Sequence, residues 1–142
     1  MQYVCDGVGT RTWFRLETAA EAAAESRDMD HAVQKYFKDS YELATQSYVP
    51  PASARVFEQN IGLKAHILKV MPRFLTLRNN EGKPLVTAML PPVGHDAKTS
   101  RIIIVGPANA DPYVDHADDI KKLGLHVKLT LDPARCFPYR RG

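Results

Sequence analysis

The hydrophobic rhythm of the chain changes several times, and each change predicts an element. "RTWFRLE" (11–17) alternates, with Trp13 and Arg15 on one side and Phe14 and Leu16 on the other, after the turn-forming "DGVG". The period then lengthens. Thr18 and Glu21 have the T-A-A-E spacing of a capping box, in which each side chain satisfies a backbone donor at a helix start. No Gly or Pro follows until past Gln46, and Met29, Val33, Tyr36, Phe37 and Ala44 recur as one helical stripe. A long N-terminal helix is therefore expected, with "RDMD" as the place where Asp28 or Asp30 could cap a second one. Pro50 and Pro51 end it, because the proline ring removes an amide and blocks the preceding turn.

The segment 53–71 is less regular. Ser53 suits an N-cap and Val56, Phe57 and Asn60 a short helix, but Gly62 argues against one continuous helix. "RFLTLR" and "PLVTAML" then flank "NNEGK", where Gly82 can take positive φ, and predict a hairpin. "RIIIVG" is the nearly all-apolar pattern of a strand buried on both faces. A helix over 112–123 comes next, and "LHVKLTL" alternates like a last strand.

This order gives an α+β fold: a mixed or antiparallel sheet of about five strands, with a long N-terminal helix and further helices packed mainly on one face. The final strand–helix–strand unit predicts one right-handed parallel crossover.

A length of 142 residues suits a single domain spanning 1–142, with 134–142 as a basic C-terminal tail. The sequence is 44% hydrophobic and 25% charged, as in an ordinary globular domain. No apolar run approaches the roughly 18 to 20 residues that a bilayer crossing needs. The start "MQYVCDGVGTRTW" lacks the pattern of a secretory signal, so a cytoplasmic protein that does not enter the membrane is expected. Cys5 and Cys136 have no metal or redox spacing and are expected to be free thiols.

The net charge of +3 is too small to diagnose nucleic-acid binding, but it is unevenly spread. "GLKAHILKVMPRF" and "RCFPYRRG" contain basic residues without acids, whereas Asp111 to Asp119 is acidic.

That acidic stretch invites a ligand reading. Gly106 to Asp111 turns a strand into a helix, and a helix N-terminus can hold an anion, although neither a Walker A nor a GxGxxG pattern is present. Capping accounts for most of its residues: Asp111 as N-cap, Pro112 in the first turn, Lys121 and Lys122 in the last, Gly124 just after. On that phase Asp115, His116, Asp118 and Asp119 face solvent.

Other chemistry has weaker signals. Asp30-His31, His95-Asp96 and Asp115-His116 are acid–imidazole neighbours, but adjacent residues point apart and no HExxH or HxH occurs, so no metal site and no cofactor are expected. Neither cysteine lies in a nucleophile motif. Arg135, Tyr139, Arg140 and Arg141, with Phe137, would suit stacking and phosphate contacts to single-stranded nucleic acid, without a supporting motif.

The leading expectation is a small regulatory or interaction protein that binds a ligand and forms a homodimer, its partner being protein, either itself or another. The alternative is a small hydrolase-type enzyme. For either, His95, Asp96, Gly106, Asn109 and Asp111 are the ligand-binding candidates, in the loop 91–100 and the turn 106–111, with a small anion as the ligand that suits the turn. The third reading is nucleic-acid binding through the tail.

Overall fold

Every strand lies beside its chain neighbour. The computed structural model describes residues 1–95 and 101–138. Within them β1 (Gln2–Asp6), β2 (Thr12–Arg15), β3 (Arg73–Arg78), β4 (Pro84–Leu90) and β5 (Ile103–Val105) form one antiparallel sheet in the order β1-β2-β3-β4-β5. Three helices, α1 (Ala19–Met29), α2 (Val33–Gln46) and α3 (Val56–Val70), make the connection from β2 to β3, and α4 (Tyr113–Val127) comes after β5. The α+β expectation holds.

The pleat sorts the side chains into two layers, because successive residues of a strand face opposite sides. Leu75, Leu77, Val86, Ala88 and Ile104 pack with Trp13, and with Ile120 and Leu123 of α4. Phe74 and Met89 face the other way, into a cluster with Ala22, Val33, Phe37 and Ile67 of α1, α2 and α3. Helices thus cover both faces. Three of the four lie on one face, as expected, and α4 covers the other, because β3 and β4 are apolar on both sides and need two covers.

The expected long N-terminal helix is two helices. The capping box is present: Thr18 Oγ1 accepts from the Glu21 amide at 3.2 Å, and Glu21 Oε1 accepts from the Thr18 amide at 3.1 Å. At Asp30 the chain turns left-handed, with φ 52° and ψ 59°, a conformation that Asp tolerates better than most residues. Ser26 Oγ then accepts from the Gln34 amide at 2.8 Å, fastening the start of α2 to the end of α1. The break lets Met29 and Phe37 both reach the interior, each about 1% exposed.

Helix α3 is continuous through Gly62 and starts after Arg55, not Ser53. Tyr48 explains the glycine, since its hydroxyl occupies the space that a side chain on residue 62 would fill.

The C-terminal part of the chain departs from its sequence pattern. The alternating "LHVKLTL" forms no strand and no parallel crossover: 125–127 complete α4, and Lys128 closes it in the left-handed region at φ 59°. Gly124 remains inside the helix, and a Cβ there would lie 2.9 Å from the carbonyl oxygen of Leu129, so the returning chain needs the glycine. That segment then meets β5. The Phe137 amide donates to the Ile102 carbonyl at 2.9 Å and the Ile104 amide to the Phe137 carbonyl at 3.3 Å, a single parallel bridge. The strand that the sequence pattern missed is β1, a short edge strand exposed along much of its length.

The acidic face of α4 also differs from expectation. His116 departs from helical geometry, with φ −128° and ψ 23°, and this rotates the phase of the helix beyond it. Asp115 and Asp118 are exposed as expected, but Asp119 is fully buried while Val114 is 75% exposed. The Asp119 carboxylate accepts from the Val8 amide at 2.6 Å and Arg11 Nε at 2.9 Å, and His116 Nδ1 lies 3.0 Å away. Asp119 is therefore the clamp between α4 and the β1–β2 turn, not a dipole complement in solvent.

Candidate functional site

The break between α1 and α2 sets His31 over the sheet. Its Nε2 lies 2.8 Å from Thr87 Oγ1 of β4, and the Thr87 hydroxyl donates to Glu25 Oε2 of α1 at 2.5 Å. Because the hydroxyl proton points to the carboxylate, Thr87 can only accept from the imidazole, so the proton of a neutral His31 sits on Nε2. Nδ1 then accepts, from the Val33 amide at 3.4 Å. Burial lowers the His31 pKa, outweighing the opposing pull of a backbone hydrogen bond and of Glu25 and Asp30. Glu25 is fully buried and takes Arg78 Nη2 on its other oxygen at 2.8 Å. The whole row, Arg78–Glu25–Thr87–His31, is paired from end to end.

Beside this row is a pocket of about 390 Å³. Its apolar walls come from separate segments: Val33 and Tyr36 of α2, Phe74 and Met89 of the sheet, Ile103 and Val105 of β5, and Phe137 and Pro138 of the tail. His31, Thr87 and Asn109 supply the polar lining. Asn109 reaches the rim because the turn 107–109 takes left-handed backbone at Ala108 and at Asn109, φ 54° and 59°. Among the described residues no hydrogen bond holds the Asn109 side chain, so its amide is available to a ligand. Walls that are mostly apolar, with a few fixed polar groups, are the usual make-up of a small-molecule site.

Of the residues singled out in the sequence, Asn109 lines this pocket. Gly106 and Asp111 support the turn from behind. The Gly106 amide donates to the Ala110 carbonyl at 2.8 Å, the Ala110 amide to Pro107 at 3.0 Å, and Asp111 Oδ1 accepts from the Tyr113 amide at 2.9 Å. The Gly106 and Ala110 amides of this turn are thus engaged within it. His95 is exposed, with its amide donating to Pro92 at 3.1 Å, and does not line the pocket. Asp96 lies outside the described residues, as do Tyr139, Arg140 and Arg141 of the tail. Arg135 is exposed, its amide held by the Asp132 carbonyl at 3.1 Å.

Other chemistry finds little support in the geometry. Cys5 and Cys136 are free and buried, and burial raises both pKa values, which keeps the thiols protonated near neutral pH. Among the described residues no three His, Cys, Asp or Glu side chains gather as metal ligands. Among the same residues no helix is long and apolar enough to cross a membrane.

Sequence reasoning missed Glu25 and Thr87 and met His31 only as a neighbour of Asp30. Nothing in an Ala-rich helix marks one glutamate as buried, and its partners Arg78 and Thr87 are more than fifty residues away. No family model, no curated protein and no solved structure matches this chain at a significant level.

Proposed function

We propose that this protein is a small-molecule-binding regulatory module. Its ligand is a mainly apolar compound, the size of one or two rings, that carries a hydrogen-bonding group for the Asn109 amide. The observation that carries this reading is the pocket of about 390 Å³ whose polar floor is already paired internally. Both His31 nitrogens are directed at protein atoms, Thr87 and the Val33 amide, so the ring orients and closes the floor and does not act as a proton carrier. That favours binding over the hydrolase alternative. The walls join the α1–α2 break, β5, the 107–109 turn and the tail, so occupancy ties four segments together, as a regulatory module requires.

The test is a screen of neutral aromatic and alicyclic amides and alcohols, read by amide chemical shifts. Binding is expected to move Val33, Thr87, Val105 and Phe137 together. Ala32→Trp places a large ring on the exposed rim of the pocket and should abolish those shifts while the protein stays folded. Shifts confined to other regions, or unaltered by Ala32→Trp, refute the assignment.

A further inference from the structure

On the sheet face turned toward α4, a second concavity of about 400 Å³ is lined by Arg15, Arg73, His126 and Lys128, with Tyr3, Val4, Leu75, Val93 and Val127 as less polar walls. The register explains why two guanidiniums meet there. Arg15 of β2 pairs directly with Leu75 of β3, and Arg73 stands two residues before Leu75, so the two arginines are diagonal neighbours on one face. His126 and Lys128 enter from the end of α4.

Like charges placed together normally come with a counter-charge. Among the described residues neither guanidinium has a carboxylate at ion-pair distance, and Glu17 acts on Arg15 only from farther away. Each is instead steadied by one main-chain carbonyl: Arg15 Nη2 donates to Leu68 at 2.9 Å and Arg73 Nε to Pro91 at 2.8 Å. Those bonds fix the planes of the two side chains and leave most of their N–H groups unspent. Both pKa values are lowered, chiefly by burial, and for Arg15 also by Arg73. Capping the end of α3 accounts for one N–H of Arg15, but not for a second arginine, a lysine and an imidazole around the same hollow.

We infer that this hollow binds the phosphoryl group of a small phosphorylated molecule, with Arg15 and Arg73 as its fork-shaped donors and His126 and Lys128 completing the ring. Fixed guanidiniums match phosphate oxygens two at a time. A phosphoryl group, with three oxygens and close to two negative charges, matches three cationic side chains and an imidazole better than a carboxylate with two oxygens and one charge. The apolar walls select a ligand with an organic body over free phosphate.

Phenyl phosphate, inorganic phosphate and benzoate are the probes, titrated into the 142-residue chain by calorimetry. Phenyl phosphate is expected to bind saturably, to be displaced by inorganic phosphate at higher concentration, and to bind more tightly than benzoate. Arg73→Lys keeps one charge and loses the fork, and should weaken phenyl phosphate by about tenfold, equivalent to ~1.4 kcal/mol. Lys128→Gly changes an exposed left-handed position that suits glycine, so the fold is retained, and binding should weaken several-fold with a shallower salt dependence. If Arg73→Lys fails to fold, Lys128→Gly decides. No saturable binding of phenyl phosphate overturns the inference. So does unchanged affinity in a folded Arg73→Lys or in Lys128→Gly, and so does benzoate binding as tightly as phenyl phosphate.

Discussion

Glu25 of α1 accepts the Thr87 hydroxyl of β4 at 2.5 Å, across 62 residues of sequence. With Arg78 Nη2 on the other oxygen at 2.8 Å, a buried charge fastens the helical layer to the middle of the sheet. The rest of that junction is apolar contact, which is not directional. The carboxylate adds registration: only one placement of α1 on β3 and β4 satisfies both donors.

Glu25→Ala leaves Arg78 without its counter-charge and the Thr87 hydroxyl without its acceptor, and should cost about 3–5 kcal/mol of stability. Glu25→Leu combined with Arg78→Leu should cost much less than the two single changes added together, because no unpaired charge remains. Urea unfolding of the parent and these variants measures both terms. Strict additivity would mean that the pair is not coupled.

Asp119 makes the same kind of anchor on the opposite face, where its carboxylate collects Val8 and Arg11 and its main-chain oxygen takes Trp13 Nε1 at 3.0 Å. Asp119→Ala should cost about 3–5 kcal/mol. Gly7→Ala should be harmful for a related reason, since the added Cβ would stand 2.6 Å from Asp119 Oδ1 and 3.2 Å from the Arg11 carbonyl oxygen. Both variants are expected to lower the unfolding midpoint and to expose the single tryptophan, with a red shift of its emission.

The folded protein holds the pKa of His31 below its ordinary value of 6.5. Between the lowered value and 6.5 the unfolded chain therefore binds more protons than the folded one, so stability rises with pH across that window. The contribution is complete above about 6.5 and is lost as pH falls through the folded pKa. His31→Asn should flatten this part of the stability–pH curve. If the curve keeps its slope in the variant, the titrating group is elsewhere.

Lys128 occupies the left-handed region without being glycine. That conformation costs an ordinary residue ~1–2 kcal/mol, and glycine would return ~0.4–1 of this through the greater freedom of the unfolded chain. Lys128→Gly should therefore stabilise the protein by about 0.5–1 kcal/mol. A lower melting temperature would show that the lysine makes a compensating contact.

Local signals in the sequence translated well into structure. The Thr18–Glu21 box, the hairpin around Gly82 and the buried strand after Arg101 all rest on neighbours within a few residues, and all three are present. The failures are places where a distant part of the chain outbids the local pattern. Leu125, Val127, Leu129 and Leu131 alternate like a strand, yet Gly124 lets Leu129 cross close to α4, so the alternation is divided between a helix end and an extended return. The seven-residue period from Met29 through Val33 to Tyr36 runs across a left-handed turn at Asp30 that no glycine announces. In the candidate site Asn109 was legible, because a strand-to-helix turn is a recognisable place for a polar side chain. Glu25, Thr87 and His31 were not, because their pairing exists only after the sheet has formed.

The margin of the sheet depends on the tail. β5 is only three residues long, and the tail closes its outer side at Phe137. The same residue carries Arg101 over its ring at 5.1 Å and forms a wall of the pocket. Guarding an open strand against unwanted neighbours and shaping a cavity are thus entrusted to one peptide unit. A chain that ended before Cys136 would lose one wall of its cavity and the cover on β5 in a single step, and the strand left bare would be free to recruit another chain.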